Sequence, residues 1–484
     1  MKKLTDILKN TPVREVCGDT AAAIGGLVYD SRAVKPGDCF FAVPGTQSDG
    51  HDYIPIAVEK GAAAIVCERM PADAAEGVAY VLVGDSAGAM ADMAAAFYDY
   101  PSRELKLVGI TGTNGKTTTA TLLYDLVRAM GYKAGLISTV VYKIDGREVE
   151  ATHTTPDSIR LNAMMREMAD AGCAYCFMEC SSHAIVQERT RGLDFAGGIF
   201  SNITHDHLDY HKTFAEYIRA KKLFFDGLPK GAFALTNADD RNGRVMVQNT
   251  AAAVSAYSLR AMADFRCKIV EMHLDGMLLR IDGQELWVGL LGRFNAYNLL
   301  AVYGAAALLG LDRGEVLRVL SMLHAVSGRF EKIRAANGTT AIVDYAHTPD
   351  ALENVIQTIE EIRTPGQQLI VVCGCGGDRD RTKRPEMAAI AVKYATMAVF
   401  TSDNPRHESP EAILDDMVAG LEPGARYLRI ADRAEAIRTA VMLSRPGDII
   451  LVAGKGHETY QIVGDVKHPF DDREEIKKRF ALLN

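Results

Sequence analysis

The sequence predicts an α/β protein with three domains: an N-terminal α/β domain, a central domain with a phosphate loop in a mostly parallel sheet, and a C-terminal Rossmann-like, doubly wound domain. Three observations support this fold class. The chain has 484 residues, about three times the usual length of a domain. Short apolar runs alternate with helical periodicity along the chain, as in parallel sheets. A glycine-rich turn at 112–118 joins a strand to a helix.

The N-terminal domain is predicted to span residues 1–101. A helical stretch at 54–60 precedes an apolar run at 62–67, and a second helix is expected at 87–98. That helix should end near Tyr100, because the residue before a proline resists helical geometry. The first domain boundary is therefore placed after residue 101.

The central domain is predicted to span residues 102–328. Its expected strands lie at 105–110, 134–140, 174–180, 198–203 and 232–236. A helix at 119–130 follows the glycine-rich turn, and Asp145-Gly146 predicts a hairpin. A β-rich patch at 254–291 precedes a long apolar helix at 295–309.

The C-terminal domain is predicted to span residues 329–484. Its expected strands lie at 341–343, 369–373, 397–401, 427–430 and 449–452, each followed by a helical segment. Such an order is typical of a doubly wound unit, in which functional loops follow the carboxyl ends of the strands.

Composition and charge exclude several classes of protein. A composition of 48% hydrophobic and 24% charged residues is that of an ordinary soluble protein. A net charge of −8 argues against a nucleic-acid partner. No segment is long and apolar enough to span a membrane, and no signal peptide is visible at the start. Nine cysteines without a disulfide or zinc pattern suit the cytoplasm, as buried thiols.

The glycine-rich turn has the chemistry of a phosphate-binding loop. Its residues are Gly112, Thr113, Asn114, Gly115, Lys116, Thr117 and Thr118. Backbone N–H groups and the helix dipole would face an anion, Lys116 would neutralise the β- and γ-phosphates, and Thr117 would offer its hydroxyl to Mg²⁺. The spacing departs from the strict P-loop pattern at Ile110, so an ordinary glycine-rich turn is the alternative. The loop predicts ATP and Mg²⁺.

Polar clusters follow the predicted central strands, at 179–183 and 202–211, with a helical cluster at 217–221. Glu179 is a natural ligand for Mg²⁺, which prefers oxygen, whereas His207 is a less usual one. The polar residues around His207 could equally cap the next helix. These are His205, Asp206, Asp209 and His211.

Together these motifs resemble the signature series of the Mur ligase family. The matching segments are 30–32, 36–38, 112–118, 179–183, 206–211, 217–221, 292–298, 328–330 and 344–350, in family order. The resemblance spans the chain, and within the family it is greatest to the ligases that add the third peptide residue to a cell-wall precursor.

The resemblance implies a set of ATP and metal contacts. Asn298, Arg329 and Asp344 would contact the nucleoside or γ-phosphate side of ATP. The implied catalytic residues are Lys116, Glu179, His207 and Lys221, of which the last three would hold Mg²⁺ together with Thr117. Lys221 would be carbamylated, since a bare ammonium repels a cation. The alternative is a solvated helical lysine beside Lys222.

The resemblance also implies where the acceptor substrate binds. The sugar-nucleotide end would lie against the first domain, at Ser31, Thr46, Gln47 and Ser48. The peptide end would meet His153, Thr154, Thr155, Ser181, Gln187 and Arg189. For each residue taken singly, a turn or cap role is the alternative.

Three C-terminal clusters should converge on a crevice for the incoming amino acid. The candidate residues are Arg379, Asp403, Asn404, Pro405, Arg406, Gly454 and Glu458. Two arginines suit carboxylates and Glu458 suits an ammonium, which together fit meso-diaminopimelate. The Asp-Asn-Pro-Arg segment resembles the family's diaminopimelate-adding pattern. The alternative is that Arg406 pairs with a local acid such as Glu408.

The resemblance therefore implies a monomeric, cytoplasmic, ATP-dependent amide ligase. It would join diaminopimelate to UDP-N-acetylmuramoyl-L-alanyl-D-glutamate through an acyl phosphate, and its partners would be small molecules. The alternatives are a lysine-adding member of the family, a ligase like folylpolyglutamate synthetase, and an ATP-switched binding protein.

Overall fold

The computed structural model describes residues 1–45, 48–151 and 153–483. Side chains are described for these residues except 208 and 209. Three large β-sheets, of five, eleven and six strands, follow one another along the chain, and there are also two two-stranded sheets among the described residues. Helices pack against each large sheet, so the predicted α/β class with three sheet-containing parts is confirmed. The boundaries after residues 101 and 328 stay predictions.

The N-terminal sheet has the strand order β2-β7-β6-β5-β4 and is antiparallel only between β2 and β7. Asp85 caps the last helix by accepting hydrogen bonds from two backbone N–H groups. The elements are β1 (Lys2–Lys3), α1 (Leu4–Ile7), β2 (Val13–Cys17), β3 (Ala23–Ile24), β4 (Leu27–Val28), β5 (Cys39–Phe41), α2 (Ile54–Glu59), β6 (Ala64–Cys67), β7 (Ala79–Val83) and α3 (Ser86–Phe97).

The central sheet is parallel from β9 to β16 in the order β9-β12-β8-β13-β14-β15-β16, with antiparallel strands added at both edges. Its first elements are β8 (Lys106–Thr111), α4 (Lys116–Ala129), β9 (Ala134–Ile137), β10 (Val141–Ile144), β11 (Arg147–Glu150), α5 (Ser158–Asp170), β12 (Tyr175–Glu179), α6 (Ser182–Val186), β13 (Gly197–Phe200), α7 (Leu208–His211) and α8 (Phe214–Asp226). The others are β14 (Phe233–Asn237), α9 (Gly243–Val247), β15 (Ala253–Ser258), β16 (Phe265–His273), β17 (Gly276–Ile281), β18 (Gln284–Val288), α10 (Arg293–Leu308) and α11 (Arg313–Leu320).

The predicted hairpin at Asp145-Gly146 is confirmed between β10 and β11. The predicted start of α4 at Thr119 is wrong, because the helix begins at Lys116. The run of β-branched threonines there lowers helix propensity and hides the first turn in the sequence. Gly115 precedes the helix with a φ of +87°, which a glycine adopts without strain.

The C-terminal sheet has the order β19-β20-β24-β21-β22-β23 and is antiparallel only at β19. All five predicted strands are present, and β19, β25 and β26 are additional. The elements are β19 (Glu331–Arg334), β20 (Thr340–Asp344), α12 (Pro349–Ile362), β21 (Leu369–Cys373), α13 (Lys383–Tyr394), β22 (Met397–Phe400), α14 (Pro410–Val418), β23 (Tyr427–Arg429), α15 (Arg433–Leu443), β24 (Ile449–Ala453), β25 (Tyr460–Val463), β26 (Val466–Pro469) and α16 (Asp472–Phe480).

The predicted core thiols are confirmed, since every cysteine except Cys17 is buried and all nine are free. Across the described ranges, no helix combines the length and the apolar character that a membrane crossing needs.

Candidate active site

A cavity of about 510 Å³ lies where the carboxyl ends of β8, β12, β13 and β20 meet the start of α10. The sheet order places β8 between β12 and β13, so the loop after β8 adjoins the polar residues that follow its neighbours. Predicted site residues that line this cavity are Thr113, Asn114, Gly115, Lys116, Thr117, Thr118, Thr154, Glu179, Ser181, His207, Lys221, Asn298, Arg329 and Asp344.

The phosphate loop is packed so closely that it requires glycine at both ends. A Cβ on Gly112, where φ is +152°, would lie 1.9 Å from the Ser201 hydroxyl oxygen. A Cβ on Gly115 would lie 2.5 Å from Oδ1 of Asn298. The backbone N–H of Asn114 donates to Oδ1 of Asn202 at 3.0 Å. The neighbouring strand and helix therefore hold the loop at the N-terminus of α4, a position that favours anions.

Lys116 folds back over the phosphate loop. Its Nζ donates to the carbonyl oxygens of Gly112 at 2.9 Å and Thr113 at 2.8 Å. Burial lowers the pKa of Lys116, while the charges of Glu179 and Asp206 oppose that shift. The ammonium is thus held beside the turn where a phosphate would bind.

Lys221 is 1% exposed, so the alternative of a solvated lysine is wrong. Its Nζ donates to the Gly112 carbonyl at 2.8 Å and lies 4.6 Å from the centre of the Tyr217 ring. No carboxylate of the described residues forms an ion pair with it. Burial, and then the charge of Lys116, lower the pKa of Lys221 well below its ordinary value. The next residue, Lys222, instead pairs with Asp226 at 2.6 Å.

The sequence did contain a signal for this burial. Tyr217, Lys221, Phe224 and Phe225 follow a spacing of four, three and one, which places them on one face of α8. All four are buried.

Glu179 is fully buried at the end of β12. Its Oε1 accepts a hydrogen bond from the Thr139 N–H at 2.7 Å, and its Oε2 accepts one from the Thr139 hydroxyl at 3.1 Å. Thr139 was not predicted as a site residue, because a lone threonine after a strand carries no distinctive signal. One residue therefore orients both oxygens of this carboxylate.

His207 lies beside Asp206, with 3.3 Å between Nε2 and Oδ2, and its side chain keeps 43% exposure. Its ring centre is 4.9 Å from that of His183. Desolvation lowers the pKa of His207 to about 4, although the Asp206 charge opposes this. A neutral imidazole is the form that binds metals. Oδ1 of Asp206 accepts the His207 backbone N–H at 2.9 Å, a local bond that lies just before α7.

The donor set fits a metal that is bound largely by phosphate oxygens. Among the residues described, no group of three or more His, Cys, Asp or Glu is arranged to hold a metal ion. Mg²⁺ commonly takes one or two carboxylates together with substrate phosphates. Glu179 and the Thr117 hydroxyl suit that pattern, whereas Lys221 with an unmodified ammonium does not.

Arg329 connects the C-terminal part of the chain to the phosphate loop. Its Nη2 donates to the Thr117 hydroxyl at 3.1 Å, and its guanidinium lies 4.5 Å from the centre of the Tyr345 ring. Asp344 accepts the N–H groups of Phe330 at 2.7 Å and Ala346 at 2.8 Å. Burial raises the pKa of Asp344. Its carboxylate therefore holds the segment that carries Arg329.

Other cavity residues on this side were missed by the sequence reasoning. Asn298, which was predicted, donates to Oδ1 of Asn295 at 3.1 Å. The missed residues include Asp239, Phe294, Tyr297 and His347. Two of them, Phe294 and Tyr297, lie inside the 292–298 motif, so the motif itself could have indicated them.

The predicted peptide-side residues form one hydrogen-bonded network beside Glu179. Thr155 donates to the Glu179 carbonyl at 2.7 Å, and Arg189 donates to the Thr155 carbonyl at 2.6 Å. Arg189 also donates to Oε1 of Gln187 at 2.6 Å. The His153 carbonyl accepts a hydrogen bond from the Tyr142 hydroxyl at 2.5 Å, a contact outside this chain of bonds.

Only two of these peptide-side residues reach the cavity lining, Thr154 and Ser181. The Thr154 hydroxyl accepts from Thr139 at 3.1 Å. Ser181 caps α6 by accepting the Ala184 N–H at 3.2 Å, so it has the cap role of the alternative and also lines the cavity.

The predicted sugar-nucleotide residues are only partly placed. Ser31 is buried in a short 3₁₀ turn, Ser31–Ala33, and Ser48 is exposed. Neither belongs to the described lining of the cavity. Thr46 and Gln47 lie outside the described residues.

Tyr29, which sequence reasoning missed, brings the N-terminal domain close to the peptide side. Burial, and then the charge of Asp157, raise the pKa of Tyr29, while the charge of Arg189 lowers it. Two central-domain groups therefore act on this phenol, and the loop that carries Tyr29 and Ser31 lies near the peptide network.

The three C-terminal clusters converge, as the strand order predicts. Asn404 donates to Oε2 of Glu458 at 2.9 Å and accepts from Nζ of Lys455 at 3.1 Å. A Cβ on Gly454 would lie 2.5 Å from Oδ2 of Asp403. Nη1 of Arg406 donates to the Gly377 carbonyl at 2.9 Å.

Two details change the expected roles in this crevice. Glu458 also forms an ion pair with the fully buried Lys455 at 2.9 Å, so its carboxylate already has a cationic partner before any substrate ammonium binds. Glu408 pairs with Arg384 and Arg381. The alternative in which Arg406 pairs with Glu408 is therefore wrong.

The second predicted arginine, Arg379, is exposed. A Cβ placed on Gly376 would lie 2.9 Å from Nη1 of Arg406 and 3.6 Å from Cγ of Arg379. The two arginines thus flank the same glycine. A Cβ on Gly377 would lie 1.9 Å from the Pro405 carbonyl oxygen, so the two loops are in close contact.

The chain matches three family models in sequence order. They are the Mur ligase family catalytic domain at residues 23–98, the Mur ligase middle domain at 110–306, and the Mur ligase glutamate ligase domain at 328–456. The parallel sheet with the phosphate loop corresponds to the middle domain of these ligases, and the α/β parts before and after it correspond to the other two domains. The chain belongs to the Mur ligase family.

Individual relatives are similar over the full length. UDP-N-acetylmuramoyl-L-alanyl-D-glutamate–2,6-diaminopimelate ligases of Phocaeicola vulgatus and Bacteroides fragilis are each 55% identical, and the match covers 99% of both chains. A solved structure with the same protein name is 31% identical with a TM-score of 0.71, covering 100% of this chain and 99% of the other. A folylpolyglutamate synthase of Mycobacterium tuberculosis shares the fold at 18% identity, with a TM-score of 0.62 and coverage of 75% and 91%.

Proposed function

We propose that this protein is an ATP-dependent amide ligase that joins meso-diaminopimelate to UDP-N-acetylmuramoyl-L-alanyl-D-glutamate. Two relatives that are named as 2,6-diaminopimelate ligases of this UDP-dipeptide match 99% of the chain at 55% identity. The choice of diaminopimelate as the incoming amino acid rests on the contacts of Arg406. Its guanidinium borders the crevice and has no acidic partner among the described residues. A substrate carboxylate would supply that partner.

ATP would bind at the phosphate loop, with its γ-phosphate toward Lys116 and Arg329. Asn298 and Asp344 would border the nucleoside side, together with the remaining loop residues. Mg²⁺ would be held by Thr117, Glu179 and His207, and when bound it would neutralise charge on the phosphates. Positioning and electrostatics of this kind account for most of the catalysis of phosphoryl transfer.

Lys221 would carry a carbamate. Carbamate formation needs a neutral amine, and a buried lysine next to Lys116, with the Gly112 carbonyl as its hydrogen-bond acceptor, favours that form. The neutral amine would add to the carbon of dissolved CO2 and lose one proton to solvent, which gives an anion with two oxygens. This change converts a residue that would repel Mg²⁺ into an oxygen ligand of the kind that Mg²⁺ prefers.

The reaction would have two chemical steps. An oxygen of the D-glutamate side-chain carboxylate attacks the γ-phosphorus of ATP, the bond to the bridging oxygen breaks, and ADP leaves. The neutral amine of diaminopimelate then attacks the acyl carbon to give a tetrahedral intermediate. The C–O bond to phosphate breaks, inorganic phosphate departs with the electron pair, and the amine loses its proton.

The geometry suits this order of events. Thr154 and Ser181 line the same cavity as Lys116, which would place the acceptor peptide beside the γ-phosphate. Glu150 at the end of β11 acts on Tyr460 of the amino-acid crevice: burial and the Glu458 charge raise the pKa of Tyr460, and Glu150 adds to the rise. The charge at the end of β11 thus reaches a residue that neighbours Glu458. Closure around both would exclude water from the acyl phosphate.

The remaining expectations concern the setting. The substrates would be small molecules, the enzyme would work in the cytoplasm, and it would act as a monomer. A sedimentation experiment on the purified protein tests the last point.

One assay tests the proposed function. Phosphate release is measured with ATP, Mg²⁺ and UDP-N-acetylmuramoyl-L-alanyl-D-glutamate, with diaminopimelate or lysine as the amine. Release that depends on acceptor and diaminopimelate, with lysine much poorer, is the expected result. Equal use of lysine would favour a lysine-adding ligase. Phosphate release that needs no amino acid would overturn the ligase assignment.

A further inference from the structure

Arg384 lies beneath the two loops that border Arg406. It is fully buried on α13, and its two terminal nitrogens donate to both oxygens of Glu408, at 3.1 and 2.9 Å. The same guanidinium donates to Asp416 at 2.7 Å and to the Gly376 carbonyl at 3.2 Å. One buried cation therefore ties the loop of Gly376 to the loop of Glu408.

Glu408 and Arg406 flank the same pair of glycines. A Cβ on Gly376 would lie 2.9 Å from Nη1 of Arg406, and one on Gly377 would lie 3.2 Å from Cβ of Glu408. The opposite charges of Arg406 and Glu408 thus lie two residues apart and next to adjacent glycines. Here Arg406 donates only to the Gly377 and Asn404 carbonyls among the described residues.

The reason is that Glu408 is already occupied. Besides Arg384, it binds Arg381 at 2.8 Å and accepts the Asp378 N–H at 2.6 Å. Hydrogen bonding to Arg384 is the main cause that lowers the pKa of Glu408 to about 2. Arg381 is 66% exposed, so its pair is the weaker one, whereas the buried two-pronged pair with Arg384 is the stronger.

We propose that Arg384 is a positioning residue for amino-acid selection: by holding Glu408 it leaves the Arg406 guanidinium available to a substrate carboxylate. This inference rests on the proposed function, in which Arg406 binds the distal carboxylate of diaminopimelate. Without Arg384, the Glu408 carboxylate competes with the substrate for Arg406. Selectivity for diaminopimelate over lysine would then fall, while ATP binding at the phosphate loop would not change.

The test is a pair of variants, R384M and R384M/E408Q. We expect R384M to raise the KM for diaminopimelate about tenfold, in the range for coupled neighbouring residues, with the KM for ATP unchanged. Replacing Glu408 by glutamine removes the competing charge, so R384M/E408Q should return to within about threefold of wild type. A purely structural role for Arg384 would predict no such rescue.

R381M is the matched control, because Arg381 also binds Glu408 but is exposed. Its KM for diaminopimelate should change less than about twofold. The inference is overturned if R384M/E408Q is no better than R384M, or if R381M is as impaired as R384M.

If R384M does not fold, R384K with and without E408Q replaces it. An ammonium cannot form the two-pronged pair that the guanidinium makes with Glu408, so a smaller rise in the same KM is expected, again reversed by E408Q. An unchanged KM in R384K would overturn the inference. Failure of the proposed function is seen separately, since wild type would then not use diaminopimelate at all.

Discussion

Lys221 in the central domain and Lys455 in the C-terminal domain are buried almost completely, yet their ammonium groups have different partners. Nζ of Lys455 lies 2.9 Å from Glu458 and 3.1 Å from Asn404. Nζ of Lys221 donates only to the Gly112 carbonyl, at 2.8 Å, among the described residues. Both lie against a tyrosine ring, at 4.6 Å for Lys221 and 5.8 Å for Lys455.

The difference separates two uses of a buried lysine. A buried ammonium with a carboxylate partner is an ion pair that belongs to the structure. A buried amine without one is pushed toward its neutral form, which can react. The surroundings of Lys221 thus suit chemical modification, and those of Lys455 suit the ordering of a binding crevice.

The largest expected effect concerns Lys116, which donates a hydrogen bond to the same Gly112 carbonyl as Lys221. Lys116→Ala should lower ligation by about 10⁴-fold, because a cation at the transferring phosphoryl group is lost. Thermal unfolding should stay close to wild type, since Lys116 forms no ion pair among the described residues. Steady-state phosphate release measures the first and calorimetry the second. Near-normal turnover would contradict the ATP assignment.

Lys221→Ala should lower ligation by about 10³-fold, as expected when a charged group is removed from such a site. High bicarbonate or short carboxylic acids should restore part of the activity, because a supplied carboxylate replaces the missing carbamate. Lys222→Ala is the matched control and should keep wild-type activity. If Lys221→Ala retains full activity, the metal site must use another ligand.

Lys455→Met should act on stability. Removing one partner of a buried ion pair leaves Glu458 uncompensated and should cost about 3 kcal/mol. The thermal midpoint should fall, and added carboxylic acids should not restore activity. Since removing both partners is often nearly neutral, Lys455→Met/Glu458→Gln should recover most of the midpoint. A midpoint that never moves would mean that Lys455 is not a structural partner.

The smallest expected effect concerns Arg406, a cation that has no acidic partner within the described part of the chain. Arg406→Ala should cost about 2 kcal/mol in binding of diaminopimelate, because a charge-assisted pair is lost. The KM for ATP and for the UDP-dipeptide should barely change. Lysine lacks the distal carboxylate, so the ratio of the two kcat/KM values should fall. An unchanged ratio would mean that Arg406 does not bind the distal carboxylate of diaminopimelate.

Much of the fold could be predicted, because hydrophobic alternation is local. The strand at 369–373 was predicted to the residue, and the hairpin at Asp145-Gly146 was found from its turn. The start of α4 was missed by three residues, since the threonines of its first turn obscure the helical pattern. The cavity residue Asp239 was missed because nothing in its local sequence marks it, whereas His347 lies inside the 344–350 motif, which could have indicated it.

The sequence by itself determined the α/β class, the phosphate loop and the order of motifs, because these depend on residue types at short spacing. Tertiary structure decided which charges meet. Lys221 and Lys222 are neighbours in sequence, yet one is buried over the loop and the other pairs with Asp226. Glu408 is two residues from Arg406, yet it binds Arg384. Ion pairing depends on distance and burial in space, and both are set only when separate strands bring their loops together.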